Sequence, residues 1–374
     1  MRHPILKGET YLKVNEIMKS GEMSGFRGYP AGHLGGRHVQ ALEEAFCEYF
    51  NVKYAVAMNS ATSCLHAALI VSGVKQRYCT EFKDEVIVTP YSFSSSASCV
   101  LMVGGLPVFI DVDEETFCMN PTEPLPFCKA VIPVHLCGHP ADMDNIASHF
   151  PMVRPTVIED AAQSIGAEYD GRKVGTIGDC GIFSFNQSKH VSTGEGGLLI
   201  TNDENIARVC RAIRNHGEVS DPDLMMVGYN FRMCEIEAAM ALDQFKELDK
   251  MNDIRIELCN RVTEKLSDVE YLVPPVVKPN CKHVFYTYAL KIKPPLNKQD
   301  FCKKLQDRGV FFGTYVEPLY RLPIYGKQEP LPVTERLWKD ELIVSDIFRY
   351  PMTVEQCASI AEVIKEVVWE SLSR

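Results

Sequence analysis

The stretch "TVIEDAAQSIGAEYDGRKVGTIGDCGIFSFNQSKHVSTGEGGLLIT", Thr156 to Thr201, sets three short apolar runs between glycine-punctuated connections. "TVIED" (Thr156 to Asp160), "IFSF" (Ile182 to Phe185) and "GLLIT" (Gly197 to Thr201) are strand candidates, because each is brief, rich in β-formers and bounded by turn residues. Upstream, "YAVAM" (Tyr54 to Met58), "EVIVT" (Glu85 to Thr89), "PVFID" (Pro107 to Asp111) and "AVIPV" (Ala130 to Val134) repeat the pattern between helical stretches. Several of these runs are apolar at both alternating positions, as a sheet covered by helices on both faces requires. The fold class that follows is α/β, with a mostly parallel central sheet between helices.

Downstream, "EIEAAMALDQFKELDKMNDIRIELCNRVTEKL" places Ala238, Leu242, Phe245 and Leu248 at helical spacing, which predicts one long amphipathic helix. A boundary near Asp249 divides the chain into a large domain (1–249) and a small α+β domain (250–374). In the second, "VFYTYALKI" (Val284 to Ile292) alternates like a half-exposed strand. "VEQCASIAEVIKEVVWESL" repeats Cys357, Ile360, Ile364 and Val367 on one helix face.

With 374 residues, 46% hydrophobic and 24% charged, the chain can bury a sizeable core. The 14 cysteines are scattered with no C-x-x-C pair, which reads as reduced buried thiols and not as a disulfide framework. A net charge of -10 disfavours non-specific binding to nucleic acid or anionic membrane. No apolar run is long enough to span a bilayer, and the first residues lack the apolar core of a secretory signal, so a cytoplasmic protein is expected. His135, Cys137 and His139 in "VHLCGHPAD" lack the usual zinc spacing, and no metal is expected.

Three features carry chemistry. After "YAVAM" the chain turns directly into a helix, so Asn59 or Ser60 can cap it while Ala61, Thr62 and Ser63 present free backbone N–H groups, an anion socket. Glu159 and Asp160 end a buried strand, which sends a carboxylate to the edge where α/β ligands bind; a strand-end aspartate equally caps a following helix. Lys189 follows the strand containing Ser184. A loop lysine is ordinarily solvated, whereas a desolvated one becomes a nucleophilic amine. Socket, acid and lysine together match the needs of pyridoxal phosphate: a phosphate cradle, a partner for the pyridine nitrogen and a Schiff-base lysine.

On the stretches "NSATSCLHAAL", "PYSFSSSASCVLMVGGLPVFIDVDEETF", "VIEDAAQSIGAEYDGRKVGTIGDCGIFSFNQSKHVSTGEGG" and "YNFRMCEIEAAMALDQF", the chain resembles the DegT/StrS family of pyridoxal-phosphate-dependent sugar aminotransferases. The resemblance implies the fold-type I architecture. It implies Lys189 as the Schiff-base lysine and Asp160 as the partner of the ring nitrogen, with Gln163 at the ring hydroxyl. Ala61, Thr62 and Ser184 hold the phosphate, and Phe93 stacks on the ring. Asn230 reaches the phosphate of a neighbouring subunit, which makes a homodimer with shared sites the minimum active unit. Arg232, Tyr320 and His190 are the substrate-side candidates; an interface ion pair for Arg232, a cover over the domain joint for Tyr320 and simple packing for His190 stand beside them.

The implied reaction moves an amino group from glutamate or glutamine to a keto-sugar, most often nucleotide-linked. A free keto-cyclitol such as an inosose is the alternative acceptor, and a non-catalytic regulatory or scaffolding role is the rival of another class. A diphosphate needs local cations, for which Arg27, Arg37, Arg214 and Arg321 are the candidates. The family's usual Ser-Gly-Thr is here Ser60-Ala61-Thr62, and the loop "SGFRGYPAGHLGGRHVQALE" departs from the common pattern.

Overall fold

The computed structural model describes residues 7–26, 33–75, 83–150, 153–218, 224 and 226–373. Its first sheet takes β1 (Tyr54–Met58), β2 (Glu85–Val88), β3 (Leu106–Phe109), β4 (Ala130–Ile132) and β5 (Thr156–Asp160). A short hairpin, β6 (Glu168–Tyr169) and β7 (Arg172–Lys173), interrupts the run before β8 (Cys180–Ser184) and β9 (Gly197–Thr201). The order is β1-β9-β8-β5-β4-β2-β3. Every neighbouring pair is parallel except those made by β9, which is antiparallel to both β1 and β8. The carboxyl ends of β1, β8 and β5 therefore share one edge.

Both faces are covered, as the doubly apolar strands predict. The α-helices up to Phe245 are α1 (Gly8–Ser20), α2 (Arg37–Phe50), α3 (Ala61–Val71), α4 (Ser95–Met102), α5 (Met143–Ser148), α6 (Glu204–Arg214) and α7 (Glu235–Phe245). Leu65 and Leu69 of α3, Val100 of α4 and Ile213 of α6 pack on Val56, Val88, Ile158 and Ile182. On the other face, Leu42 and Phe46 of α2 and Phe245 of α7 meet Ala55, Phe183 and Ile200. Phe46 is fully buried and stacks on Phe245 at 4.1 Å between centroids. Removing a ring from such a site generally costs about 3–5 kcal/mol.

The predicted single helix after Glu235 is two helices, α7 and α8 (Leu248–Leu266). Phe245 and Leu248 both bury in the first core, so a turn at Lys246 and Glu247 keeps both side chains there. Beyond the turn, α8 carries Leu258, Val262 and Leu266 into a second core. That core rests on a sheet ordered β10-β12-β14-β13, built from β10 (Leu272–Val273), β12 (Tyr288–Ile292), β13 (Gly313–Thr314) and β14 (Leu342–Ser345). α9 (Lys298–Asp307) and α11 (Val354–Leu372) cover it. Thr353 caps α11 by accepting from Gln356 N, with Gln356 reaching back to Thr353 N, a capping box.

Two segments tie the second core to the first. β11 (Cys281–Lys282) pairs with β6. At the start of α10 (Pro332–Arg336), Val333 N and Thr334 N donate to the Asp111 carboxylate at 2.9 and 3.0 Å. The run Val284 to Ile292 is a strand only from Tyr288, and its residues are nearly all buried, not half exposed. The reason is cover on both sides: Tyr288, Leu290 and Ile292 face the second core, while Ala289 faces a cluster containing Leu337 and Leu342.

Candidate active site

At the shared edge, Met58 lies opposite Gly197, and Gly197 lies opposite Ser184. The end of β1 and Ser184 are thus separated by one residue of β9, and that residue has no side chain. A Cβ on Gly197 would stand 2.3 Å from Ala61 N and 2.3 Å from the Ser60 carbonyl carbon. Glycine is required here for close approach of a strand to the first turn of α3. Ser60 caps that turn, accepting from Ser63 N at 3.1 Å. The amides of Ala61 and Thr62 find no acceptor among the described residues.

Adjacent carboxylates at the end of β5 part company. Glu159 is fully buried and accepts from Gly175 N (2.7 Å), Ile177 N (2.6 Å), Gly178 N (2.5 Å) and His135 Nε2 (3.0 Å), so it organises the loop after β7. Asp160, on the opposite face and 3% exposed, accepts from Ser96 Oγ at 2.7 Å and Ala162 N at 3.2 Å. Gln163 Oε1 accepts from Cys137 N at 2.9 Å, which fixes the amide's orientation, and its Nε2 donates one proton to Tyr315 Oη at 2.9 Å. The second Nε2 proton has no acceptor among the described residues. Burial pushes the Tyr315 phenol well above its ordinary pKa, so it stays neutral.

The twelve-residue connection between β8 and β9 is pinned by Phe185 N to Gly196 O and Gln187 N to Gly194 O, both 2.9 Å. Lys189 projects from it, with Nζ 4.2 Å from the centre of the Tyr286 ring. Among the described residues the amine has no hydrogen-bond or ion-pair partner. Tyr286 Oη is itself bonded to Ser188 Oγ at 2.8 Å. Lys189, Gln163 and Phe93 line one cavity of ≈ 480 Å³ with Tyr286, Tyr315 and Asp346. Phe93 is 61% exposed, and its ring stacks on no other aromatic ring among the described residues.

The chain matches the DegT/DnrJ/EryC1/StrS aminotransferase family over residues 9–366. It belongs to this family. It is 35% identical to the GDP-perosamine synthase of Caulobacter vibrioides over 78% of its own length and 79% of that protein's. An aminotransferase from Psychrobacter cryohalolentis superposes with a TM-score of 0.87 at 26% identity, covering 100% of this chain and 99% of that one. Helicobacter pylori PseC, an aminotransferase involved in the biosynthesis of pseudoaminic acid, gives 0.85 at 25% identity, covering 98% of each. The chain is a pyridoxal-phosphate-dependent aminotransferase of a family that works on sugars.

The residues present fit that cofactor. The α3 amides stand beside Ser184, held close by a glycine, an arrangement that an anion fits. The unpartnered Lys189 amine, the free proton of Gln163 and the exposed face of Phe93 meet at one cavity. Asp160 lies at the same sheet edge but is not part of the cavity lining.

The substrate-side expectations fare differently. His190 is not in that lining: its Nε2 donates to Val284 O at 3.1 Å, and burial, with Arg255 nearby, holds its pKa well below the usual imidazole range. It is a neutral packed ring. Tyr320 is likewise buried at 4% exposure, donating to Glu335 Oε1 at 2.9 Å inside the core on the α3 side. Its hydroxyl faces Glu335 and Leu331. Arg232 donates to Asn230 Oδ1 (2.9 Å) and Asn215 Oδ1 (3.3 Å), and Asn230 O accepts from Asn59 Nδ2 at 3.3 Å.

Arg214 is fully buried on Glu43 (2.6 Å), and Arg321 is shared by Glu317 and Glu335. Arg37 is exposed, and Arg27 lies outside the described residues. His135 and His139 are hydrogen-bonded to Glu159, Ala141, Pro140 and Lys278, and among the described residues no histidine, cysteine or carboxylate group is arranged to hold a metal. Sequence reasoning missed Ser96, Tyr286 and Tyr315. A serine four residues after Ser92 in "PYSFSSSAS" is the one signal that pointed at the first.

Proposed function

We propose that this enzyme transfers an amino group from glutamate or glutamine to a nucleotide-linked keto-sugar, working in the cytoplasm as a homodimer. The observation that carries the reading is the unpaired Lys189 amine on the wall of the ≈ 480 Å³ cavity, beside Phe93 and Gln163. When bound, pyridoxal phosphate supplies an aldehyde for the exchange of amines and a conjugated ring that takes up the charge left when a proton departs from Cα.

The chain's own groups do the rest. Lys189 Nζ removes the proton from the donor's Cα and later delivers one to the acceptor carbon. Asp160, held on two donated hydrogen bonds, would meet the ring nitrogen. Gln163 Nε2 would donate its second N–H as a hydrogen bond to the ring hydroxyl, and the amides of Ala61 and Thr62 with Ser184 would hold the phosphate. Arg232 is the proposed cation for the donor carboxylate. Asn230 is exposed and flanked by Val227 at 83% and Tyr229 at 38% exposure, an apolar rim that supports a second copy covering this edge.

A free keto-cyclitol is the second reading, favoured by one observation: Arg214 and Arg321 are already occupied by carboxylates and do not await a diphosphate. Glutamate or glutamine, added separately to the yellow holoenzyme, should bleach its absorption with at least one of the two. Return of the colour is then followed with nucleotide-linked keto-sugars and with free inososes. Recovery with the first group supports the proposal, recovery with inososes alone replaces it, and a protein that never bleaches refutes transamination.

A further inference from the structure

Strand geometry alone does not hold Asp160. Ser96, 64 residues earlier in the chain and 1% exposed, donates to Asp160 Oδ2 at 2.7 Å. Ser96 Oγ also lies 3.1 Å from Ser92 Oγ, and Ser92 is 1% exposed as well. A hydroxyl has one proton to donate. Ser96 gives it to Asp160, so the other contact is made by Ser92 donating, and the chain runs Ser92 to Ser96 to Asp160.

Backbone bonds fix the donors. Ser96 N donates to Phe93 O at 3.2 Å and Ala97 N to Ser94 O at 3.2 Å, closing the turn that opens α4. The same turn presents Phe93 to the cavity. One short segment therefore carries both the exposed ring and the hydroxyl that grips the carboxylate.

We propose that Ser96 is a positioning residue for the transamination site: its hydroxyl, oriented by Ser92, fixes the Asp160 carboxylate for the cofactor's ring nitrogen. A short hydrogen bond to a buried carboxylate is among the stronger ones, and a carboxylate that loses its donor is free to rotate away. The Ala162 amide on Oδ1 constrains the other oxygen, so the two donors together set the plane of the group.

The test measures pyridoxal phosphate binding to the apoenzyme by equilibrium dialysis, together with the absorption spectrum of the bound cofactor. Ser96→Ala should weaken binding roughly tenfold to a hundredfold and alter the spectrum, while the apoenzyme remains folded with a modestly lowered Tm. Ser96→Thr, which keeps the hydroxyl, should restore affinity to within about threefold. Ser92→Ala, one bond further away, should weaken binding by about two- to tenfold, the worth of a neutral hydrogen bond. Wild-type affinity and spectrum in Ser96→Ala overturn the proposal, as does an equal loss in the alanine and threonine variants, which would mark packing as the cause. Should Ser96→Ala fail to fold, Ser92→Ala decides: unchanged binding there removes the relay.

Discussion

Glu159 and Asp160 are neighbours of similar chemistry with opposite roles, and strand alternation is what separates them. Glu159 gathers three backbone amides and His135 on one face; Asp160 faces the other way, with acceptor capacity left beyond its two donors. Asp160→Asn keeps an oxygen for Ser96 but replaces the second acceptor with a donor. We expect the donor half-reaction to slow by about a hundredfold or more, the usual scale for losing one preorganised electrostatic partner, with thermal stability nearly unchanged. Rapid-scan spectroscopy with glutamate checks this. Lys189, Asp160, Gln163 and Ser184 could be picked from the chain as candidates because each residue type has a distinct chemical task at or just beyond a strand end. Ser96 and Tyr286 were not, since each reaches the site through pairing of segments far apart in the chain. For His190 and Tyr320 a packing alternative stood beside the substrate role, because nearness in sequence says nothing about which way a side chain turns.

At the scale of elements, the contact between β9 and the start of α3 is the tightest constraint on the anion cradle. Gly197 has ordinary extended geometry, so the cost of a side chain there is purely steric, against backbone atoms that cannot swing away. Gly197→Ala should destabilise the fold by about 1–3 kcal/mol and loosen cofactor binding, measured as a lowered Tm of the apoenzyme and a raised Kd for pyridoxal phosphate. An alanine variant with wild-type values for both would show that the strand and helix do not meet this closely. All seven strands of the main sheet were legible, because a strand buried on both faces leaves an unbroken apolar run. The joint between α7 and α8 was not: the helical period continues through Phe245 and Leu248, and only the position of the second core makes a turn necessary.

Considered whole, the molecule has two cores whose meeting forms the cavity. Phe93, Gln163 and Lys189 come from the first sheet's edge, and Tyr286, Tyr315 and Asp346 come from the chain that builds the second. Closing the cavity therefore depends on the segment from Cys281 to Thr287, which pairs with β6 before β12 enters its own sheet. No helix among the described residues is long and apolar enough to cross a membrane. The family was legible in several separated motifs, whereas the acceptor was not, since it depends on how the walls of the two cores close together. The central claim is that one amine in this shared cavity carries the cofactor. Borohydride reduction of the intact holoenzyme, followed by mass mapping of its peptides, tests it most directly: the account predicts a single cofactor label on Lys189, and a label on any other lysine, or none, would contradict it.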